Sequence, residues 1–216
     1  MPKHMAINLG NAEKWAIKTN SDTNKTIDKT NKRVLEAIDF QLKKDIPVLT
    51  LNLIEPDNSK FNIVNNIIKS LLDSKVIYEE KVRVYVVGDW YGTDIDLIEN
   101  IKKIMDKTKD YDKYFLNLCI NYTGQKEILT ALKLLVKKTI ADKLSIDELK
   151  LEDIKDNLST SYFIPPELII ETEKDYSGLL LWDSVGAVIY YVEKYFQEID
   201  KGDIEKAVSY FNKLNN

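Results

Sequence analysis

Four acidic side chains late in the chain are candidates for chemistry. Glu171, Glu173 and Asp175 alternate, with Lys174 between the last two. In an extended segment the three carboxylates share one face and can bind a hard cation through oxygen. A solvated loop is the commoner meaning of such a run. Asp183 follows Trp182 and is a candidate general base or an interfacial charge. His4 and Cys119 are the one histidine and the one cysteine, too few for an ordinary zinc site. A Cys–His dyad from them would need the fold to bring them together. Cys119 lies in an apolar run, so it reads as a small buried hydrophobe in a reducing compartment.

Such residues need elements to hold them, and the hydrophobic pattern supplies these. Six short β-rich runs occur at Met5–Leu9, Val48–Ile54, Val82–Val87, Phe115–Tyr122, Leu168–Ile170 and Ala187–Tyr191. Several are apolar at successive positions, as expected of strands buried on both faces. Stripes at helical spacing lie between them. Val34, Leu35, Ile38 and Leu42 form the first, and Ile63, Ile67, Ile68, Leu71 and Leu72 the second. Ile95, Ile98, Ile101 and Ile104 form a third. Ile128, Leu129, Leu132, Leu135, Val136 and Ile140 form a fourth. Asp203–Leu214 reads as a terminal helix, with Gly202 and Asp203 near its start. The polar stretch Thr19–Thr30 reads as a loop or the exposed start of a helix. Pro165 and Pro166 break the chain before a strand. The alternation predicts one α/β domain over residues 1–216, with a mainly parallel six-stranded sheet flanked by helices.

Composition sets limits on function. At 216 residues, 44% hydrophobic and 31% charged, the chain suits one soluble domain with a sizeable core. A net charge of -4 argues against a nucleic-acid partner, which would want a basic face. The polar start is unlike a signal peptide, and no apolar run is long enough to span a bilayer. A cytoplasmic location is the expectation.

The order and spacing of several motifs resemble the cis-prenyltransferase (undecaprenyl diphosphate synthase) family. His4, Ala6, Trp15 and Ala16 keep the frame of its opening H-x-A-x-x-M-D-G-N-G-R-W-A stretch. Residues 81–89, Lys-Val-Arg-Val-Tyr-Val-Val-Gly-Asp, resemble its V-R-V-x-V-I-G-D strand. Residues 116–128, from Leu116 through Asn121, Tyr122 and Gly124 to Ile128, resemble L-N-I-A-L-N-Y-G-G-R-x-E-I, the most specific match. Glu55-Pro56-Asp57-Asn58 stands where the family has S-x-E-N. Pro166 to Ile170, then Ser177 to Trp182, resemble P-D-L-L-I-R-T-S-G-E-x-R-x-S-N-F-L-L-W, shortened by two residues.

The resemblance implies a parallel sheet wrapped by helices, an apolar tunnel, a dimer, and a prenyl diphosphate or polyprenyl lipid as ligand. Peripheral contact with a membrane fits such a ligand. It also implies substrate-binding positions at Gly10, Asn11, Lys14, Trp15, Asn58, Asn121 and Ser177. For Trp15, Asn58, Asn121 and Ser177 the favoured role is holding the fold, with pocket lining as the alternative. Trp182, Tyr190, Tyr191 and Phe196 are expected at the dimer contact.

Against the family pattern, the diphosphate chemistry is largely missing. The Mg²⁺ aspartate is Gly10, and an arginine is Lys14. Two further positions hold Thr23 and Ile27, and the arginine of the N-Y-G-G-R motif is Gln125. The two arginines that grip isopentenyl diphosphate become Glu171 and Asp175, and a second metal ligand becomes Val188. Each reversal from arginine to acid turns attraction into repulsion, on the order of 1–4 kcal/mol per contact. The chain also ends at Asn216, before the R-x-G tail that such proteins lend to a partner's active site. No metal site is expected, and Mg²⁺ is needed only if the chain is active. Two functions fit this pattern. One is a non-catalytic subunit paired with a catalytic homologue. The other is a repurposed enzyme acting on one prenyl diphosphate, with Glu171, Asp175 or Asp183 in a rebuilt site and Lys14, Lys18 and Lys174 holding the pyrophosphate.

Overall fold

Strands that are apolar at every position fold only where both of their faces are covered. The computed structural model describes residues 1–53, 63–141, 145–172 and 174–215, and it shows this arrangement. Six strands form one sheet: β1 (His4–Asn8), β2 (Val48–Leu53), β3 (Val82–Gly88), β4 (Tyr114–Ile120), β5 (Leu168–Glu171) and β6 (Val188–Tyr191). Their order is β3-β4-β2-β1-β5-β6, and every pairing is parallel. The described helices are α1 (Ala12–Thr19), α2 (Thr23–Lys43), α3 (Ile63–Asp73), α4 (Lys75–Glu79), α5 (Ile95–Thr108), α6 (Gly124–Ile140), α7 (Leu151–Asp156) and α8 (Lys201–Leu214).

Alternation along each strand divides the core. Met5, Ile7, Leu49, Leu51, Leu116 and Leu118 face one side and join the stripes of α2, α3, α5 and α8. Ala6, Cys119 and Ile169 face the other side, where Tyr122, Phe163, Leu179 and Leu180 form a smaller cluster. On the larger side Leu49, Ile67, Ile68 and Leu71 are fully buried. The segment 54–62 leading into α3 lies outside the described residues, and with it Asn58.

The predicted strands all form, with ends shifted by a residue or two; Ile54 lies outside the described residues. Of the two readings of the polar stretch Thr19–Thr30, the start of a helix is what forms, because the Asp22 carboxylate caps α2 by accepting the Lys25 N–H at 2.8 Å. Two points of detail differ from the sequence pattern. The last helix starts earlier than predicted, at Lys201, with Asp200 as its cap and Asp203 returning the bond. The fourth apolar stripe does not face the core. In α6 only Ala131 and Leu135 of the apolar residues are buried, while Leu129, Leu132, Val136 and Ile140 are exposed.

His4 ties three segments together. Its Nδ1 lies 2.6 Å from the Ile164 carbonyl and its Nε2 2.8 Å from Thr50 Oγ1. A carbonyl only accepts, so Nδ1 carries the proton and Nε2 accepts from the threonine. Thr50 in turn accepts from Asn117 Nδ2 at 3.2 Å. A protonated ring would reverse the Thr50 bond, making the hydroxyl accept from Nε2 as well as from Asn117. The buried ring resists charging, and its pKa falls from 6.5 to about 4. With both ring nitrogens occupied, His4 cannot serve Cys119, whose thiol is pushed up by burial and is inert.

Stability should therefore depend on pH in a defined window. Below pH 6.5 the unfolded chain takes up a proton that the folded chain refuses until about pH 4. Folding stability should fall across that interval by roughly 3 kcal/mol at most. A proton NMR titration of the one imidazole tests this directly. The ring should stay neutral in the native protein down to about pH 4, and a normal midpoint would refute the buried assignment.

Candidate functional site

In open parallel sheets, ligands bind beyond the carboxyl ends of the strands, where successive connections run opposite ways. Here the chain leaves β1 toward β2 on one side, while β5 pairs on the other. By that rule the crevice is expected above the ends of β1, β2 and β5. Gly10 turns the chain out of β1 with φ of +62°, a conformation open to glycine at little cost. Asn11 then caps α1, its side-chain oxygen accepting the N–H groups of Glu13 and Lys14 at 2.8 and 3.2 Å. Two of the amides at the helix start are thereby taken by the cap rather than left for a phosphate.

Beneath this turn runs a continuous polar network. Asn8 and Asn52 stand opposite one another in the β1–β2 register. Asn52 Nδ2 donates to Asn8 Oδ1 at 3.2 Å, and the Gly10 N–H reaches the same oxygen at 3.3 Å. Asn8 Nδ2 donates to Glu171 Oε2 at 2.8 Å. The other oxygen, Oε1, accepts from the Ser177 N–H at 3.0 Å and its hydroxyl at 2.7 Å. Glu171 is 0% exposed. Its placement corrects the reading of residues 171–175 as one solvated acidic run. Asp175 is exposed, Glu171 is buried, and Glu173 lies outside the described residues.

Other expected site residues are dispersed. Lys14 and Lys18 of α1 line a cleft of about 440 Å³ together with Thr172, Lys174, Asp175 and Tyr195. The lysine triad anticipated for a pyrophosphate is thus gathered in one place. Lys18 lies over the Tyr195 ring, 4.9 Å from its centre. Trp15 is buried, with no partner for its indole N–H. Asn121 belongs to a different cleft, beside Asp89, Lys126 and Lys133, and its amide donates to the Asp89 carbonyl at 3.3 Å. Asp183 is no free base. It pairs with Lys155 at 2.6 Å, nearly excluded from solvent, and the Lys155 ammonium also donates to the Thr160 carbonyl. Of the expected interface aromatics, Phe196 is 1% exposed, so it packs in the core. Trp182 and Tyr190 are half-buried, and Tyr191 is exposed.

The residues present do not fit Mg²⁺. Gly10 and Val188 offer no ligand atom, and both Glu171 oxygens already hold hydrogen-bond donors. Among the described residues no group of three or more acids, histidines or cysteines could share a metal ion. Sequence reasoning missed Asn8 and Asn52. Their signal was a polar residue near the end of an otherwise apolar strand, twice at matching register.

The network makes a measurable claim. Glu171→Ala would leave Asn8 and Ser177 donors unanswered, costing about 2–4 kcal/mol in urea unfolding. Asp175→Ala, at the surface, should stay within about 0.5 kcal/mol of wild type. Equal effects from the two would break the assignment.

Comparison with known proteins now places the chain. Residues 7–216 match the family model described as "Putative undecaprenyl diphosphate synthase". The tritrans,polycis-undecaprenyl-diphosphate synthase (geranylgeranyl-diphosphate specific) of Thermoplasma acidophilum is 29% identical, over 96% of this chain and 84% of the relative. The fold resembles lavandulyl diphosphate synthase from Lavandula x intermedia, solved with dimethylallyl diphosphate. That likeness has a TM-score of 0.87 at 20% identity, over 97% of this chain and 94% of the other. A probable undecaprenyl diphosphate synthase from Campylobacter jejuni gives 0.74 at 22% identity, over 98% and 95%. With the family model matched along nearly the whole chain, the protein belongs to the undecaprenyl diphosphate synthase, or cis-prenyltransferase, family.

Proposed function

We propose that this chain is a non-catalytic member of the family, working in polyprenyl diphosphate synthesis as the partner subunit of a catalytic homologue. One observation carries the reading. Glu171 stands where the family resemblance expects an arginine for isopentenyl diphosphate, and its carboxyl group is locked by Asn8 and Ser177. A diphosphate brought there meets a buried acid instead of a cation, so attraction at that position gives way to repulsion. The donors that could have turned toward a phosphate already point at the protein's own carboxyl oxygens. The missing fit for Mg²⁺ agrees with this.

A second reading rests on the cleft of Lys14, Lys18, Lys174 and Thr172. Its basic side chains could hold the pyrophosphate of a single prenyl diphosphate, with no isopentenyl site required. Dimethylallyl diphosphate, bound in the lavandulyl diphosphate synthase structure, is the natural first test ligand.

Mass spectrometry of reaction products separates the two. Purified chain is incubated with dimethylallyl, geranyl or farnesyl diphosphate and Mg²⁺, each with and without isopentenyl diphosphate. No product is expected from the chain alone, and added catalytic homologue should turn over faster in its presence than without it. Any condensed or cyclised product from the chain alone, lost in Lys14→Ala and Lys174→Ala, would replace the first reading with the second.

A further inference from the structure

Only two of the chain's 31 basic residues are arginine, Arg33 and Arg83. Arg33 on α2 pairs with Glu36 and donates to the Gln197 carbonyl at 3.3 Å. Arg83, half-buried on β3, enters no salt bridge among the described residues. It lines a cleft of about 360 Å³ on the side of the sheet that carries the smaller cluster, together with Tyr85, Phe115, Asn117, Tyr162 and Phe163. Arg83 is the one charged side chain of this lining. Asp106, an acid of the adjoining cleft that Arg83 also lines, is already held by Lys109 at 2.8 Å. Covering apolar surface asks only for a long aliphatic stem, which lysine also has. A planar fork of donors matters where a planar anion is to be met.

Two further features define the ligand. The first is an oriented acceptor. The His4 ring holds its proton on Nδ1, so Thr50 gives its own to Nε2 and accepts from Asn117 Nδ2 at 3.2 Å. The Asn117 carboxamide is thereby fixed with its oxygen turned away from Thr50, and the residue lines the cleft while only 3% exposed. The second is a set of aromatic walls. Tyr162 meets Tyr85 edge-on with ring centres 4.9 Å apart, and Phe163 likewise at 5.4 Å. The segment that carries these rings is pinned at both ends. Before it the Thr160 N–H donates to Glu127 Oε1 at 3.0 Å, and at its end His4 Nδ1 donates to the Ile164 carbonyl. In the β3–β4 register Tyr85 stands opposite Asn117 and Arg83 opposite Phe115, so Arg83 and Asn117 share a face one diagonal apart. Ordinary strand spacing and rise make that diagonal about 8 Å, a gap that one ring with substituents at opposite ends spans.

We propose that this cleft binds a small aromatic carboxylate that carries a hydroxyl or amino donor at the far end of its ring. The carboxylate takes the Arg83 fork, the ring lies against Tyr85, Tyr162 and Phe163, and the donor meets Asn117 Oδ1. A phosphate ester is a poorer match, because its second charge finds no second cation in the lining. Arg83 and Phe115 are each the second residue of their strand. The site therefore lies at the amino ends of β3 and β4, at the opposite end of the sheet from the crevice. Neither reading of the chain's part in diphosphate chemistry bears on it.

Isothermal titration calorimetry of the full chain with para-hydroxybenzoate provides the test. One saturable site is expected. Benzoate, which lacks the far donor, and para-hydroxybenzyl alcohol, which lacks the charge, should each bind more weakly by about tenfold or more. Arg83→Gln should weaken para-hydroxybenzoate to a similar degree, with an unchanged melting temperature by circular dichroism as the folding control. Tyr162→Ala, at an exposed position, removes one wall from outside the sheet and should also weaken binding. In the wild-type chain the Asn117 side-chain amide resonance should move on saturation. Absence of saturable heat overturns the proposal. So does binding that Arg83→Gln and Tyr162→Ala leave unchanged, or equal binding of the neutral alcohol. Loss of binding in Lys14→Ala would place the acid in the lysine cleft and overturn it as well.

Discussion

The hydrogen bonds running from Asn52 through Asn8 to Glu171 and Ser177 are the constraint on which the crevice depends. They cross the carboxyl ends of β2, β1 and β5, three adjacent strands drawn from distant parts of the sequence. A carboxyl group without exposure is costly unless every lone pair finds a donor. Here the cost is offset by an asparagine on the next strand and by a serine that turns back six residues later. The pair works only as a pair. An acid at position 171 needs a donor at position 8, and Asn8 already spends its oxygen on Asn52 and Gly10. The polar ends of these strands therefore face one another, and Asn52 Oδ1 is the one oxygen of the network left buried without a partner.

Family membership and the chemistry of the strand ends are separate matters here. Backbone architecture follows from apolar residues at strand and helix positions, and those persist throughout the chain. Diphosphate handling would follow from a few charged side chains at the strand ends. In this chain Asn8 and Glu171, at the ends of β1 and β5, bond to one another. The same sheet can carry either arrangement, because the strand ends lie outside the main apolar layers.

Much of the fold was legible in the sequence, because burial on both faces forces apolar residues at successive positions, as in Leu168–Ile170. Helix α6 shows what such patterns leave open. Periodicity reports that a helix has an apolar face but not what covers it. Leu132 and Ile140 fall at helical spacing, as Ile101 and Ile104 do, yet only the latter are buried in the core. The site was harder to read. Residues 171–175 look uniformly polar in sequence, and only the end of β5 decides that Glu171 points inward while Asp175 stays in water. Asp183 had no sequence signal for its pairing with Lys155, which comes from a separate helix.

The position of β1 inside the sheet has a consequence for how the chain is made. One edge of β1 pairs with β2, about forty residues later, but its other edge waits for β5 at Leu168–Glu171. On a ribosome adding roughly 5–20 residues per second, that edge stands bare for seconds after β1, β2, β3 and β4 could have assembled. Until β5 arrives, the hydrogen-bonding groups of Met5 to Ile7 form an open template for stray strands. The interior place of β1 in the finished sheet is reached only once β5, about 160 residues further along, has been synthesised, and fidelity during that interval rests on the helices that already cover the sheet.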